Sequence, residues 1–316
     1  MADESLAQSS PAGSKEDGTE QVQTPKHPVE ITEDTDISTL SAAQVYELNQ
    51  ARNLLDLTAD VHRPLIDRIV PISQLRAEYE RGSPSFVQQI NYLESQGYSS
   101  LRRTRGDGDC FYRSVAFAYV EKLLHASDPS IAVASALSTL EATPQILESV
   151  GFEKMVFEDF YEVLEQLVKN VVSAEASVFD QKLTDEMLLD AFQSPEKSNS
   201  IVVYMRMLAS AQIRLDPDNF APFLFHPELG EMMEVREFCE HFVDATGKEA
   251  DHVQMTALSR ILRLNIDVAY LDGRGSTGQV EFVKFQPGET TEVTASSPIC
   301  LLYRPGHYDI LVKSVR

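Results

Sequence analysis

A helix with almost no polar face is the feature that most limits what this chain can fold into. Val115, Ala116, Phe117, Ala118, Tyr119, Val120, Leu123 and Leu124 surround one helical stretch with apolar side chains. A helix that is apolar on every side is stable only when buried, so any fold must be built around it. It is entered through Arg105-Gly106-Asp107-Gly108-Asp109-Cys110-Phe111-Tyr112-Arg113, a turn of glycines and aspartates that ends on a thiol. Cys110 thus sits where a loop meets the first turn of a central helix. Unpaired N–H groups and the helix dipole favour a thiolate at that place. Gly106 and Gly108 allow a sharp bend and close approach to a substrate, and the N–H groups around Asp107 to Cys110 are placed to meet a developing oxyanion.

Plainer readings compete. A lone cysteine is more often a small buried hydrophobe than a nucleophile. Asp107-Gly108-Asp109 resembles the opening of a calcium loop, but its sixth position is Tyr112 rather than glycine and its twelfth is Ala118 rather than glutamate. Arg105-Gly106-Asp107 is an RGD tripeptide, a three-residue match that recurs by chance.

A thiol nucleophile needs a base, and the base needs an orienter. Near the C-terminus, Ile299 to Tyr303 and His307 to Val312 are apolar, β-rich runs on either side of Arg304-Pro305-Gly306, the pattern of a hairpin. His307 opens the second strand. Side chains alternate along a strand, so His307, Asp309 and Leu311 share one face and Tyr308, Ile310 and Val312 the other. Asp309 lies about 7 Å along the strand from His307, near enough to fold back to the imidazole Nδ1 and fix its tautomer. Alone, this pair also reads as a strand-end histidine beside a solvated aspartate. With the upstream Cys loop, the order Cys, His, Asp fits a papain-like cysteine hydrolase.

The runs Asp107 to Arg113 and Tyr303 to Leu311 resemble the two signature blocks of the ovarian-tumour deubiquitinases, most closely the otubain branch. The resemblance continues in Ile201 to Leu208 and in Glu249 to Met255, and the order of elements is otubain-like from about Leu65 to Val312. It implies a papain-like α+β domain with Cys110 as nucleophile, His307 as general base and acid, Asp309 as orienter, and the backbone around Asp107 as part of the oxyanion hole. It implies a deubiquitinase needing no cofactor and no metal. The expected substrates are polyubiquitin chains of the proteasome-directing linkage. Ubiquitin-conjugating enzymes are possible partners, restrained by binding without cleavage. A papain-like hydrolase of another protein or peptide is the weaker alternative. The chain departs from the otubain pattern in one place: Asp109 stands where otubains usually carry Asn, and a carboxylate beside the thiol is expected to disfavour the thiolate.

The net charge of −22 argues against nucleic acid and anionic membranes, whose binders need basic patches, and suits a basic partner. Met1 to Leu40 holds nine acidic and two basic residues. Residues 1–38 lack aromatics and are rich in Ser, Thr, Gly, Pro, Glu and Gln, so they are expected to stay disordered. Residues 39–62 read as a helical arm capped by Ser41, with a thin stripe of Val45, Leu48 and Leu55. Otubains carry such an arm, which contacts ubiquitin and conjugating enzymes. Residues 63–316 form the catalytic domain. Three cysteines, Cys110, Cys239 and Cys300, suit a cytoplasmic or nuclear protein. The start of the chain does not look like a signal peptide, and no apolar run is long enough to cross a bilayer. A monomer is expected.

Helices are expected over 73–81, from the Ser83 cap and Pro84 to Gly97, and over 130–150, 158–174, 184–192, 198–214, 234–242 and 251–262, the last capped by Asp251. Residues 220–233, with Pro222, Pro227 and Gly230, read as an irregular segment near the substrate. Strands follow at 265–271 and 279–285 and in the final hairpin. Helices first and strands last give an α+β fold with a mostly antiparallel sheet. His252 reads as structural, and His27, His62, His125, His226 and His241 show no metal-ligand spacing.

Overall fold

In the computed structural model, residues 63–80, 82, 84–173, 182–274, 278–288 and 297–314 are described. The acidic tail, the arm, Ser83, His27 and His62 lie outside them. Chain order begins β1 (Ile66–Pro71), α1 (Ile72–Tyr79), α2 (Pro84–Ser95), β2 (Tyr98–Thr104). The apolar helix follows as α3 (Cys110–Leu124), then α4 (Pro129–Ser149), α5 (Lys154–Lys169), α6 (Asp185–Gln193) and α7 (Pro195–Leu215). After an irregular stretch come α8 (His252–Leu262), β3 (Ile266–Tyr270), β4 (Glu281–Phe285), β5 (Ile299–Arg304) and β6 (His307–Lys313).

The strands make one sheet in the order β1-β2-β6-β5-β3-β4. Each neighbouring pair is antiparallel except β3 with β5. The fold is therefore α+β with a mostly antiparallel sheet, as expected, but two strands come early. β1 and β2 do not look like strands in the sequence because β2 reads Tyr-Ser-Ser-Leu-Arg-Arg-Thr. Its polar content is accommodated by the arginine stem. Arg102 lays its guanidinium over Phe117, 4.4 Å from the ring centroid, and pairs with Glu121 at 3.0 Å, so an apolar stem is buried while the charge is satisfied.

Helices cover both faces of the sheet. α1 and α2 bury Leu75, Phe86, Ile90 and Leu93 against Leu101, Ala269, Leu302 and Leu311. The opposite face, with Val268, Leu301, Tyr308 and Ile310, joins the larger core around α3 and α7. Successive residues thus point to opposite cores, as strand alternation requires. Every residue of α3 from Cys110 to Val120 is buried, which bears out the reading of a central helix. Local signals set several ends. Asp128 accepts from the Ile131 N–H at 3.1 Å with Pro129 in the first turn of α4. Thr184 caps α6, and Asp251 with Gln254 forms a capping box on α8. The helix expected over 234–242 is instead one turn, Val235–Phe238, that widens into a π turn over Cys239–Val243. Residues 220–233 begin with the end of a one-turn helix, Pro217–Phe220, and a 3-10 turn, Ala221–Phe223, and are irregular beyond it apart from a bridge between Phe225 and Met232.

Candidate active site

The Cys110 loop is built from its own carboxylates. Asp107 accepts the Asp109 N–H at 3.0 Å, an Asx turn that curls the backbone ahead of the helix. Gly108 sits at φ +79. A Cβ there would lie 2.2 Å from the Gly247 carbonyl oxygen, so the position needs glycine for conformation and for space. Two buried arginines then grip the two aspartates. Arg113, on α3, donates to Asp107 at 3.0 Å and also to Ser198 and Asn199 at 3.1 Å each. Arg206, on α7, donates through Nε to Asp109 at 2.8 Å. The side chains of both arginines are fully buried. Asp109 occupies the N-cap of α3 but makes no side-chain cap, because its carboxylate is taken by Arg206 and by the Gly247 N–H at 3.1 Å.

That placement adds what the sequence does not show for Asp109. Its charge is not a free anion beside the thiol; it is one half of a buried ion pair with Arg206.

His307 opens β6 and Asp309 follows on the same face, as expected. The imidazole orientation differs. Nε2, rather than Nδ1, meets Asp309 Oδ1 at 2.9 Å, and the ring lies close enough to Cys110 for the thiol to act on its charge. Asp309 is wholly buried. It also accepts from the Thr104 N–H at 3.0 Å and from Arg304 Nη2 at 2.7 Å. Burial pushes the carboxyl up, but the charges of His307 and Arg304 outweigh it and hold Asp309 well below the usual carboxylate range. Burial likewise opposes charge on His307. The Asp309 carboxylate and the hydrogen bond and charge of Cys110 prevail, and the imidazole is pushed up to about 10. At neutral pH it is held as a cation next to the sulfur.

The four residues singled out in the sequence, Asp107, Cys110, His307 and Asp309, fall in this one region. Arg113, Arg206, Arg304, Thr104 and Gly247 were not foreseen. Arginines within apolar runs carry a weak signal, since a charged side chain almost never enters a core unpaired. Glu249, an exposed residue, lies within electrostatic reach of the imidazole: desolvation raises its carboxyl, and the charge of His307 offsets part of that rise. His252, read as structural, bonds its capping neighbour Asp251 at 2.7 Å. Among the described residues, no group of three or more His, Cys, Asp or Glu side chains could hold a metal ion, and none of the helices is long and apolar enough to cross a membrane.

A thiol at the start of a buried helix, an imidazole on a facing strand and a carboxylate on its far nitrogen, in the chain order Cys, His, Asp, define a papain-like cysteine hydrolase. The family model for Peptidase C65, otubain, matches residues 59–313, and the chain belongs to that family. It is 36% identical over 257 residues to ovarian tumor domain-containing deubiquitinating enzyme 1 of Arabidopsis thaliana, covering 78% of this chain and 80% of that one. It is 34% identical over 253 residues to human ubiquitin thioesterase OTUB1, covering 80% and 84%. Among solved structures, an OTUB1 chain in a complex with ubiquitin aldehyde and UBC13~Ub superposes with a TM-score of 0.69 at 25% identity, covering 87% of this chain and all of that one.

Proposed function

We propose that this protein is a cysteine deubiquitinase that hydrolyses the isopeptide bond between the ubiquitin C-terminus and a lysine. The observation that carries the reading is the His307–Asp309 pair at 2.9 Å, with the imidazole under the influence of Cys110 at the start of α3, in a member of the otubain family. In the proposed cycle His307 already carries the proton of the Cys110–His307 pair, and the Cys110 sulfur attacks the carbonyl carbon of ubiquitin's terminal glycine. The tetrahedral oxyanion is met by N–H groups of the Asp107–Cys110 loop. His307 returns the proton to the leaving lysine amine, and water then hydrolyses the thioester with His307 as base. Asp309 keeps the imidazole oriented and supports its positive charge. No step calls for a cofactor.

The preferred chains are those of the proteasome-directing linkage, a reading that rests on the family resemblance. Ubiquitin is held in part by residues 220–233, where Phe223, Leu229 and Met232 are exposed, an apolar patch of the kind that marks a protein contact. Residues 39–62 act as an arm for a second ubiquitin or a conjugating enzyme. The protein works as a monomer in the cytoplasm or nucleus, in keeping with its three free cysteines. A second role, restraint of ubiquitin-conjugating enzymes, is favoured by the similarity to OTUB1 chains solved with UBC13~Ub and UBCH5B~Ub.

The test is ubiquitin bearing a C-terminal electrophile. A one-to-one adduct, absent in Cys110→Ser, is expected by mass spectrometry together with cleavage of di-ubiquitin. An adduct that persists in Cys110→Ser, or a parent that neither reacts nor cleaves, overturns the reading.

A further inference from the structure

We infer that Arg206 is the positioning residue of the Cys110 loop, acting jointly with Asp109. This deepens the cysteine-hydrolase reading above and rests on it. Arg206 enters the core from α7 and spends its guanidinium on two segments that are distant in sequence. On the loop it holds the Asp109 carboxylate at 2.8 Å and the Gly108 carbonyl at 3.0 Å. On the facing segment it holds the carbonyls of Val243 at 3.1 Å and Lys248 at 2.6 Å. Asp109 completes the bracket by accepting the Gly247 N–H at 3.1 Å. The face of the guanidinium lies 4.3 Å from the centroid of the Tyr112 ring, which fills the space below it.

The bracket faces the chemistry. The Gly108 carbonyl belongs to the Gly108–Asp109 peptide, so gripping it sets the plane of the unit one before the Asp109–Cys110 peptide that carries the nucleophile's own N–H. The facing segment runs on through Glu249, which senses His307, to Ala250, whose carbonyl accepts the Tyr308 hydroxyl at 3.2 Å. Arg206 therefore ties the peptide planes beside Cys110 to the wall around His307. Only a planar five-donor fork can hold one carboxylate and three carbonyls together. A lysine supplies the charge without the geometry. The same contact explains how Asp109 is accommodated at this position: its charge is half of the bracket.

The experiment uses the full chain with a fluorogenic ubiquitin C-terminal amide. Parent, Arg206→Lys, Arg206→Gln, Asp109→Ala, Asp109→Asn and the double variant Asp109→Asn/Arg206→Gln are compared well below their melting temperatures. Misplacement of the loop is expected to lower kcat about 100-fold in Arg206→Gln and about 10-fold or more in Arg206→Lys, with KM within about threefold. Asp109→Ala, at a position less buried than Arg206, should lose kcat in the same way. Asp109→Asn keeps an acceptor for the fork and should stay within about tenfold of parent, while the double variant should lose no more than Arg206→Gln alone, as expected of residues acting as one unit. If Arg206→Gln does not fold, Arg206→Lys and Asp109→Ala decide the matter. Folded variants that keep parental kcat, or that lose only in KM, overturn the inference. A parent that does not turn over the substrate defeats the hydrolase reading instead.

Discussion

Asp309→Ala would strand two cations at once. The carboxylate lies between His307 Nε2 at 2.9 Å and Arg304 Nη2 at 2.7 Å, on separate oxygens. Without it, imidazolium and guanidinium face each other at about 5 Å, and Coulomb's law at an effective dielectric near 20 gives about 3 kcal/mol of repulsion. That alone lowers the imidazole by about two pKa units, before the lost attraction is counted, and abolishes the cationic state that His307 holds up to about 10 in the parent. Removing one partner of a buried pair costs about 3–5 kcal/mol. The lower figure applies here, because Arg304 is 19% exposed and retains Glu78 at 3.5 Å.

A loss of about 3 kcal/mol corresponds to a Tm lower by roughly 6–12 °C in a domain of this size. Catalysis should fall about 10³-fold in kcat/KM, and His307→Ala should fall further, the order found when members of such a triad are removed singly. Differential scanning calorimetry and the fluorogenic ubiquitin amide measure the two effects separately. The decisive variant is Asp309→Ala/Arg304→Met. Removing the stranded guanidinium should recover about 1–2 kcal/mol of stability and none of the activity. If the double variant is no more stable than Asp309→Ala, or if Asp309→Ala keeps activity within tenfold of parent, the electrostatic account of this site is wrong.

Gly108→Ala places a methyl 2.2 Å from a backbone oxygen at φ +79; it should cost about 2–3 kcal/mol and most of the activity, read by melting and adduct formation. Asp109→Asn leaves the buried Arg206 cation unopposed, so iodoacetamide alkylation of Cys110 near neutral pH should quicken by up to about tenfold, more at low salt than at high salt; superimposable rates for parent and variant would show that neither charge reaches the sulfur. His307 is raised from 6.5 to about 10 on folding, so its contribution to stability is full below about pH 6.5 and is lost as pH rises through 10. The Tm difference between parent and His307→Gln should therefore shrink from pH 6.5 upward, and a difference that grows contradicts the assignment. Removing residues 1–38 should leave single-turnover cleavage unchanged, whereas removal through Thr58 should weaken binding of a second ubiquitin or a conjugating enzyme; equal behaviour of the two truncations dismisses the arm.

What could be read from the sequence follows from how local each signal is. α3 declares itself because eight apolar side chains leave it no solvent face, and α8 because Asp251 and Gln254 cap it within four residues. Asp309 is legible from His307 because the strand period joins them. The ring orientation is not, since the choice of Nε2 depends on Arg304 and Thr104 holding Asp309 from other directions. β2 hides because its buried arginine looks like a surface residue until Phe117 and Glu121 are in place. The pairing of Asp109 is hidden for the same reason. Its partner is 97 residues away, and no pattern of spacing connects a helix N-cap to an arginine in the middle of another helix.

The same distance problem is solved for the nucleophile and the base by one strand pairing. β2 runs directly into the Cys110 loop and pairs antiparallel with β6, Arg102 opposite Ile310. In that register the end of β2 lies beside the start of β6. Thr104 donates its N–H to Asp309 and its hydroxyl to the Tyr308 carbonyl, and Ser114 of α3 donates back to the Thr104 hydroxyl at 3.4 Å. One threonine therefore touches both the strand that carries the imidazole and the helix that carries the thiol. A slip of one residue between β2 and β6 would turn His307 and Asp309 to the opposite face and Tyr308 toward the smaller core. Such a slip is resisted on both sides, because Leu311 is packed in one core and Ile310 in the other. The apolar alternation of β6 thus does more than build a sheet: it holds the imidazole at the height where the entrance of α3 presents Cys110.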